Sequence, residues 1–268
     1  MDSDKSKIMK EKDEILEGIL HNIQRSDTAK DNIIIRGGAA LHFFYSSPRY
    51  SDDVDGNIPD FLMYKEAIKK DLMEDIVFED KIYKSALRKD QPYFFRISYS
   101  QNKPNSPVGR VELDKDGSPK KYKKSEGKYA PIMVEEPSEI YADKVVATFH
   151  RMFMRDSMKA SDLFDLDYLA NVLKTTASNQ EITEKSNSFR NYGWNHKVLD
   201  KIMLFINDKN NHIKFKKDLE KCMLPDFFET QKFDSEYFEK TSQYFNSLKS
   251  IFEKSEQLTL FDSKVAKV

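Results

Sequence analysis

The chain of 268 residues has a single cysteine, Cys222, which excludes an internal disulfide framework and a multi-cysteine zinc site and suits a reducing compartment. Tryptophan also occurs once, and there are only 8 glycines and 9 prolines. With glycine this scarce, a backbone loop shaped around phosphate has few places to form, so the lone Gly-Gly pair, Gly37-Gly38, is informative. Long apolar runs are missing too. Nothing approaches the roughly 18 apolar residues of a membrane-spanning helix, and the opening MDSDKSKIMKEKDEIL lacks the apolar core of a secretory signal. A soluble, cytoplasmic protein with no membrane partner is expected. Nor is one sign of charge in excess: 44 Lys and Arg stand against 45 Asp and Glu, a net charge of -1. That excludes a protein that binds nucleic acid with its whole surface, while leaving room for a local basic patch.

Bulky core material is plentiful. Nineteen Phe and 13 Tyr supply apolar area that disordered chains lack, so a folded chain is expected. Residues 8–25 place Ile8, Ile15, Leu16, Ile19, Leu20 and Ile23 at helical spacing. Ile33-Ile34-Ile35 reads as a buried strand, broken by Gly37-Gly38, after which AALHFFY starts a short helix ending near Pro48. RYSDDVDGNI reads as extended. A helix over 60–76 follows, with Phe61, Leu62, Tyr64, Ile68, Leu72 and Ile76 as core contacts, then strands over Tyr93–Tyr99 and Gly109–Asp114. The lysine-rich stretch 115–132, with Gly117, Pro119, Gly127 and Pro131, reads as a loop. From Ser138 the chain reads as helix, broken near 175–187, 207–212 and Pro225, with a loose tail at SKVAKV. The order predicts an α/β (α+β) domain over 1–134 and a helical domain over 135–268.

The chemistry concentrates in Arg49-Tyr-Ser-Asp-Asp-Val-Asp55. On an extended strand, Ser51, Asp53 and Asp55 share one face, with the two carboxylates about 7 Å apart. Such a pair suits hard divalent cations that also hold substrate phosphates. The strand–Gly-Gly–helix turn upstream would offer backbone N–H groups to phosphate oxygens. A third carboxylate is expected from Arg110-Val-Glu-Leu-Asp114, where the acids alternate with Val111 and Leu113. Glu112 is preferred because it is interior to the strand, with Asp114 as the alternative. In the helix opened by Pro137-Ser138, Ala142, Val145, Val146, Phe149, Met152 and Phe153 form an apolar stripe, while Lys144 and Arg151 share the opposite face around Ala147.

The stretch IIIRGGAALHFFYSSPRYSDDVD resembles the first motif of the AbiEii/AbiGii toxin-type nucleotidyltransferases, at Gly37, Gly38, Ala40, Leu41, Arg49, Ser51, Asp53 and Asp55. About 90 residues on, EIYADKVVATFHR…SDLFDLDYL resembles the second, at Lys144, Ala147, Arg151, Asp162, Leu163, Asp165 and Leu166. The resemblance implies a polymerase-β-like nucleotidyltransferase core with a small mixed sheet, followed by a C-terminal helical bundle. It implies Mg²⁺-dependent (or Mn²⁺-dependent) transfer of a nucleoside monophosphate from an NTP to an acceptor hydroxyl, with RNA and tRNA ends among known acceptors. Toxin–antitoxin or phage-defence roles come with it, and with them a cognate antitoxin.

In that scheme Asp53 and Asp55 hold metal and Glu112 helps hold it or acts as base. Ser51, Arg49 and the Gly37-Gly38 turn meet the triphosphate, together with Lys144 and Arg151, and Asp162 or Asp165 completes the site. Ser161 departs from the Lys or Arg that members commonly carry there, and the segment before it is long, which leaves two roles for the acids. Asp162 could cap a helix and Asp165 lie on its surface. Transfer to a protein or small molecule, or a catalytically silent nucleotide- or RNA-binding module, are the rival readings.

Three weaker signals remain. The lysines at 115, 120, 121, 123, 124 and 128, with Tyr122 and Tyr129, form a basic aromatic segment suited to steering RNA. The five histidines show no zinc spacing, and His42 reads as a packed helix residue. Cys222 reads as a buried small apolar side chain.

Overall fold

Ile15, Leu16, Ile19, Leu20 and Ile23 are all fully buried, so the apolar stripe of the first helix, α1 (Ser3–Arg25), lies against a sheet as its spacing requires. Ile8, two turns earlier, is half exposed and lies beyond the core. The computed structural model describes residues 3–78, 80–115, 120–188, 194–250 and 252. Gly117, Pro119 and the SKVAKV tail lie outside them.

After α1 come α2 (Ala29–Asn32), β1 (Ile34–Arg36), α3 (Gly37–Phe44), β2 (Val54–Asn57), α4 (Phe61–Leu72), β3 (Ile76–Phe78), β4 (Lys81–Gln91), β5 (Phe94–Ser100), β6 (Gly109–Asp114), β7 (Tyr122–Lys124) and β8 (Met133–Glu135). The remaining helices are α5 (Pro137–Arg155), α6 (Ala160–Asp167), which runs into a π-helical turn over Tyr168–Val172, α7 (Asn179–Ser188), α8 (His196–Asn207), α9 (Lys209–Glu220), α10 (Pro225–Thr230) and α11 (Ser235–Ser247).

The eight strands form one mixed sheet in the order β3-β4-β5-β6-β2-β1-β8-β7. β2 runs antiparallel to β1 and parallel to β6, and β8 is parallel to β1. The α/β core and the helical C-terminal half therefore stand, but the sheet is twice the size that the strand signals suggest. β4 escapes sequence reading because KIYKSALRKDQ is mostly polar and exposed, with only Tyr83 fully buried. Its strand state comes from pairing with β5, not from an apolar pattern. β3 takes the end of the expected 60–76 helix: α4 stops at Leu72, and Ile76 is a strand residue. Leu62 is exposed and so is not a core contact. β7 occupies part of the expected loop over 115–132, β8 follows directly after that loop, and α7 fills most of the expected break at 175–187.

The chain divides into two compact units, Met1–Ile140 with Glu220–Phe228, and Tyr141–Leu219 with Glu229–Val268. In the first unit, Phe95, Ile97, Tyr99, Val111, Leu113 and Val54 are buried on strands β5, β6 and β2. Residues 220–228 belong to this unit through a short ladder: Arg49 bridges Met223, Tyr50 N–H donates to Cys222 C=O (2.8 Å), and Leu224 N–H donates to Pro48 C=O (3.0 Å). In the second unit every element among the described residues is helical. Phe149, Trp194 and Phe252 pack there as an aromatic cluster, with Trp194 4.6 Å from Phe149 and 4.9 Å from Phe252 between ring centroids. Among the described residues no helix is long and apolar enough to cross a membrane.

Candidate active site

β1 ends at Arg36, and the chain turns directly into α3 at Gly37, whose φ of +61° is open to glycine without strain. The Gly37 N–H donates to the carboxylate of Glu135 (3.2 Å), a fully buried acid that sequence reading does not single out. A carboxylate at a helix N-terminus is favoured by the helix dipole, and the neighbouring strand β8 supplies it. Gly38 is needed for a different reason. A Cβ there would sit 2.6 Å from Arg49 Nη2 and 3.2 Å from Ser51 Oγ. Arg49 is buried, and its Nη1 donates to Tyr50 C=O (2.9 Å). Its guanidinium is thus wedged against the glycine turn.

Ser51 is also buried, and its hydroxyl donates to Asp53 C=O (2.8 Å), closing a small turn. The expected strand through Ser51 and Asp53 begins only at Val54; the three residues before it form this turn. Asp53 still reaches the sheet face, where Arg110 Nη1 lies 3.2 Å from its Oδ1. Burial pushes the Asp53 carboxyl above the ordinary aspartate range. Arg110 opposes that shift, the charges of Asp55 and Glu112 reinforce it, and Lys12 opposes it weakly. Lys12 is itself paired with Asp52 (3.0 Å).

Register fixes the rest of the cluster. In the parallel β2–β6 pair Asp55 stands opposite Glu112, and in the β5–β6 pair Glu112 stands opposite Arg96. Arg96 Nε is 2.7 Å from Glu112 Oε1. Asp114 stands opposite Asn57 and pairs instead with Arg36 (2.6 Å). Of the two candidate acids on β6, Glu112 is the one beside Asp55. Asp53, Asp55 and Glu112 thus form an acidic patch on one sheet face, flanked by Arg110 and Arg96. Among the described residues, no three His, Cys, Asp or Glu side chains are grouped tightly enough to hold a metal ion unaided.

Within the second unit, Lys144 Nζ lies 2.9 Å from Asp162 and 2.7 Å from Asp165, and Arg151 pairs with Asp162. Both aspartates are essentially buried, so Asp165 is not a helix-surface residue. Asp162 sits in the first turn of α6, whose capping position is Lys159, so it does not cap the helix. Burial pushes the Arg151 guanidinium down, with Arg155 adding to the effect. On α5 the apolar stripe is buried except at Phe153, which is half exposed. Ser161, where the family commonly has a cation, is buried and lies beside the aspartates in sequence.

The weaker signals resolve locally. Lys124 pairs with Asp31 (3.0 Å) and Lys128 with Glu17, so part of the lysine segment is tied down in ion pairs. His42 is packed between Asp13 and the Ser47 carbonyl, both 3.0 Å away. Cys222 is half-buried rather than buried.

Residues 23–252 match the family described as "Nucleotidyl transferase AbiEii toxin, Type IV TA system". No curated protein matches the chain. Among solved structures, JHP933 from Helicobacter pylori is similar at 16% identity and a TM-score of 0.54, covering 98% of this chain and 99% of that one. A putative nucleotidyltransferase from H. pylori is similar at 16% identity and 0.51, covering 96% and 99%. MenT4, a nucleotidyltransferase toxin from Mycobacterium tuberculosis, is similar at 12% identity and 0.51, covering 87% and 91%. At these identities the likeness is one of fold.

Proposed function

The chain belongs to the nucleotidyl transferase AbiEii toxin family of type IV toxin–antitoxin systems, and from that premise we propose that it transfers a nucleoside monophosphate from an NTP to a hydroxyl of RNA in the cytoplasm, opposed by a cognate antitoxin. The observation that carries this reading is the register that sets Asp55 beside Glu112, with Asp53 close enough for all three charges to act on one another. These are hard oxygen donors in a partly desolvated patch, and they fit a Mg²⁺ ion that keeps one or two carboxylates and takes its other ligands from phosphate and water. Asp53 and Asp55 would hold that ion, with Glu112 beside them. When bound, it would supply charge neutralisation at the triphosphate and a more acidic acceptor hydroxyl.

The rest falls to the chain itself. The acceptor oxygen attacks the α-phosphorus, the bond to the β-phosphate oxygen breaks, and pyrophosphate leaves. The hydroxyl proton passes to the carboxylate cluster, with Glu112 as the acceptor on the β6 side. The Gly37-Gly38 turn and Ser51 orient the triphosphate on the β1 side of the acids. Arg49, being buried, acts by holding that turn and not by touching nucleotide. The nucleotide-binding roles of Lys144 and Arg151, and the supporting roles of Asp162 and Asp165, rest on the family resemblance, and Lys144 is held for such a role by two carboxylates.

The test is incubation of pure protein with each labelled NTP, Mg²⁺ and total RNA, beside Asp53→Ala. Label in RNA that disappears with the variant supports the proposal. Label on protein moves the acceptor to another class, and NTP binding without transfer to any acceptor sinks the enzymatic reading.

A further inference from the structure

β4 departs from regular pairing at one point: its register against β5 shifts between Leu87 and Lys89. Such a bulge places an extra residue on one strand and re-aims its side chain. Here it lets two consecutive cations serve the same face of the sheet. Arg88 Nε donates to Ser98 Oγ (2.7 Å), and the Lys89 ammonium lies 5.9 Å from the centre of the Phe94 ring. Phe94, Arg96 and Ser98 alternate along β5 and so share that face. The Arg96 guanidinium is 5.8 Å from the same Phe94 ring. Ser98 stands opposite Arg110 on β6, which carries the face on to the Asp53 carboxylate.

We infer that this face of β4, β5 and β6 is the platform on which the acceptor RNA strand lies, with its phosphates on Arg88, Lys89 and Arg96 and a base on Phe94. The inference rests on the RNA reading of the acceptor. Guanidinium groups bind phosphate oxygens in pairs of parallel hydrogen bonds, and an aromatic face flanked by cations takes a base of any sequence. The side of the sheet decides which phosphates these are. The Gly37-Gly38 turn follows β1 and lies on one flank of β2. β6, β5 and β4 lie on the other flank. β4 is three strand spacings from β2, roughly 14 Å, farther than a triphosphate anchored at the glycine turn extends past the acids. Donor and acceptor therefore approach the carboxylates from opposite sides.

The platform also gives Arg96 and Arg110 a double use. Each is the counter-charge of a site carboxylate, Glu112 or Asp53. With their carboxylates engaged by a bound cation, both guanidinium groups would be released to phosphate.

The experiment measures binding of a fluorescent single-stranded RNA oligomer to the full chain by anisotropy, at several salt concentrations and without NTP. Arg88→Gln removes an exposed cation hydrogen-bonded to Ser98, and it is expected to bind RNA several-fold more weakly. The slope of log affinity against log salt should fall by about 0.7 for the lost phosphate. Phe94→Leu is expected to bind about tenfold more weakly with the salt slope unchanged, as loss of a stacked base requires. NTP affinity, measured separately with Mg²⁺, should be unaltered in both. Melting curves that match the unaltered chain show that neither change acts through folding. RNA binding unchanged in both variants overturns the platform, and so does an NTP affinity that falls while RNA binding holds. If the unaltered chain labels RNA but the variants bind normally, the platform alone is wrong. If it neither binds nor labels RNA, the acceptor reading falls, and the platform with it.

Discussion

Gly38 and Arg49 are in contact across the glycine turn: a Cβ on Gly38 would come within 2.6 Å of the arginine's Nη2. The glycine is thus required by the side chain beside it. Its neighbour Gly37 is required by its own backbone, at φ +61° with open space around it. The two glycines should respond differently to substitution. Gly37→Ala costs the strain of a left-handed residue, about 1 kcal/mol, seen as a lowered Tm with the transfer activity largely kept. Gly38→Ala must displace the Arg49 guanidinium and Ser51, and it should reduce transfer at least tenfold at a smaller or equal loss of Tm. Equal activity losses in the two variants would contradict this assignment.

The ion cluster of the second unit should behave as a buried one. Lys144→Met removes the ammonium that lies 2.9 Å from Asp162 and 2.7 Å from Asp165, both buried, at a cost of about 3–5 kcal/mol. The double variant with Asp165→Asn should lose less than the sum of the single losses, because the two changes remove the two halves of one ion pair. Denaturant unfolding of the four proteins gives that coupling directly.

The ladder between Pro48–Tyr50 and Cys222–Leu224 makes a separate prediction. Leu224→Pro deletes the N–H that reaches Pro48 C=O, and Leu224 is partly exposed, so little packing is lost. The expected cost is about 1 kcal/mol. Hydrogen exchange should show faster exchange at the Tyr50 amide, with the amides of β5 unchanged.

Alkaline pH should weaken the fold through buried phenols. Burial pushes Tyr129 up to about 12, with Asp13 adding to the shift. The folded state keeps this phenol neutral where an unfolded chain, near 10, has ionised it. Its contribution to stability is therefore complete below pH 10 and lost as pH rises through about 12. Tyr129→Phe should flatten the decline of Tm across that window, and phenolate absorbance should show one fewer late-titrating tyrosine.

Much of this site is legible before folding is considered. Asp53 and Asp55 stand out as a carboxylate pair after an arginine and a serine, and Gly37-Gly38 stands out because glycine is scarce. The preference for Glu112 over Asp114 follows from its interior place on a strand, and register gives the stronger reason: Glu112 stands opposite Asp55, whereas Asp114 stands opposite Asn57. An arginine in a phosphate-binding motif reads as a ligand, and only the burial of Arg49 speaks for a supporting role instead. Glu135 leaves no signal at all, since its use depends on a strand laid parallel to β1.

The amino-acid order by itself determined the local things. Periodicity set the α1 stripe and the alternation in β6, and the glycine pair set the turn after β1. These depend on neighbours a few residues apart, which the chain carries in any conformation. Tertiary structure decided whatever needs partners distant in sequence. β4 is a strand because β5 pairs with it, and its bulge brings Arg88 and Lys89 to one face. Sheet order set the glycine turn and the arginines on opposite flanks of the acids. The near-zero net charge gave no hint of that separation: a sum over the whole sequence is blind to which cations end on which strand.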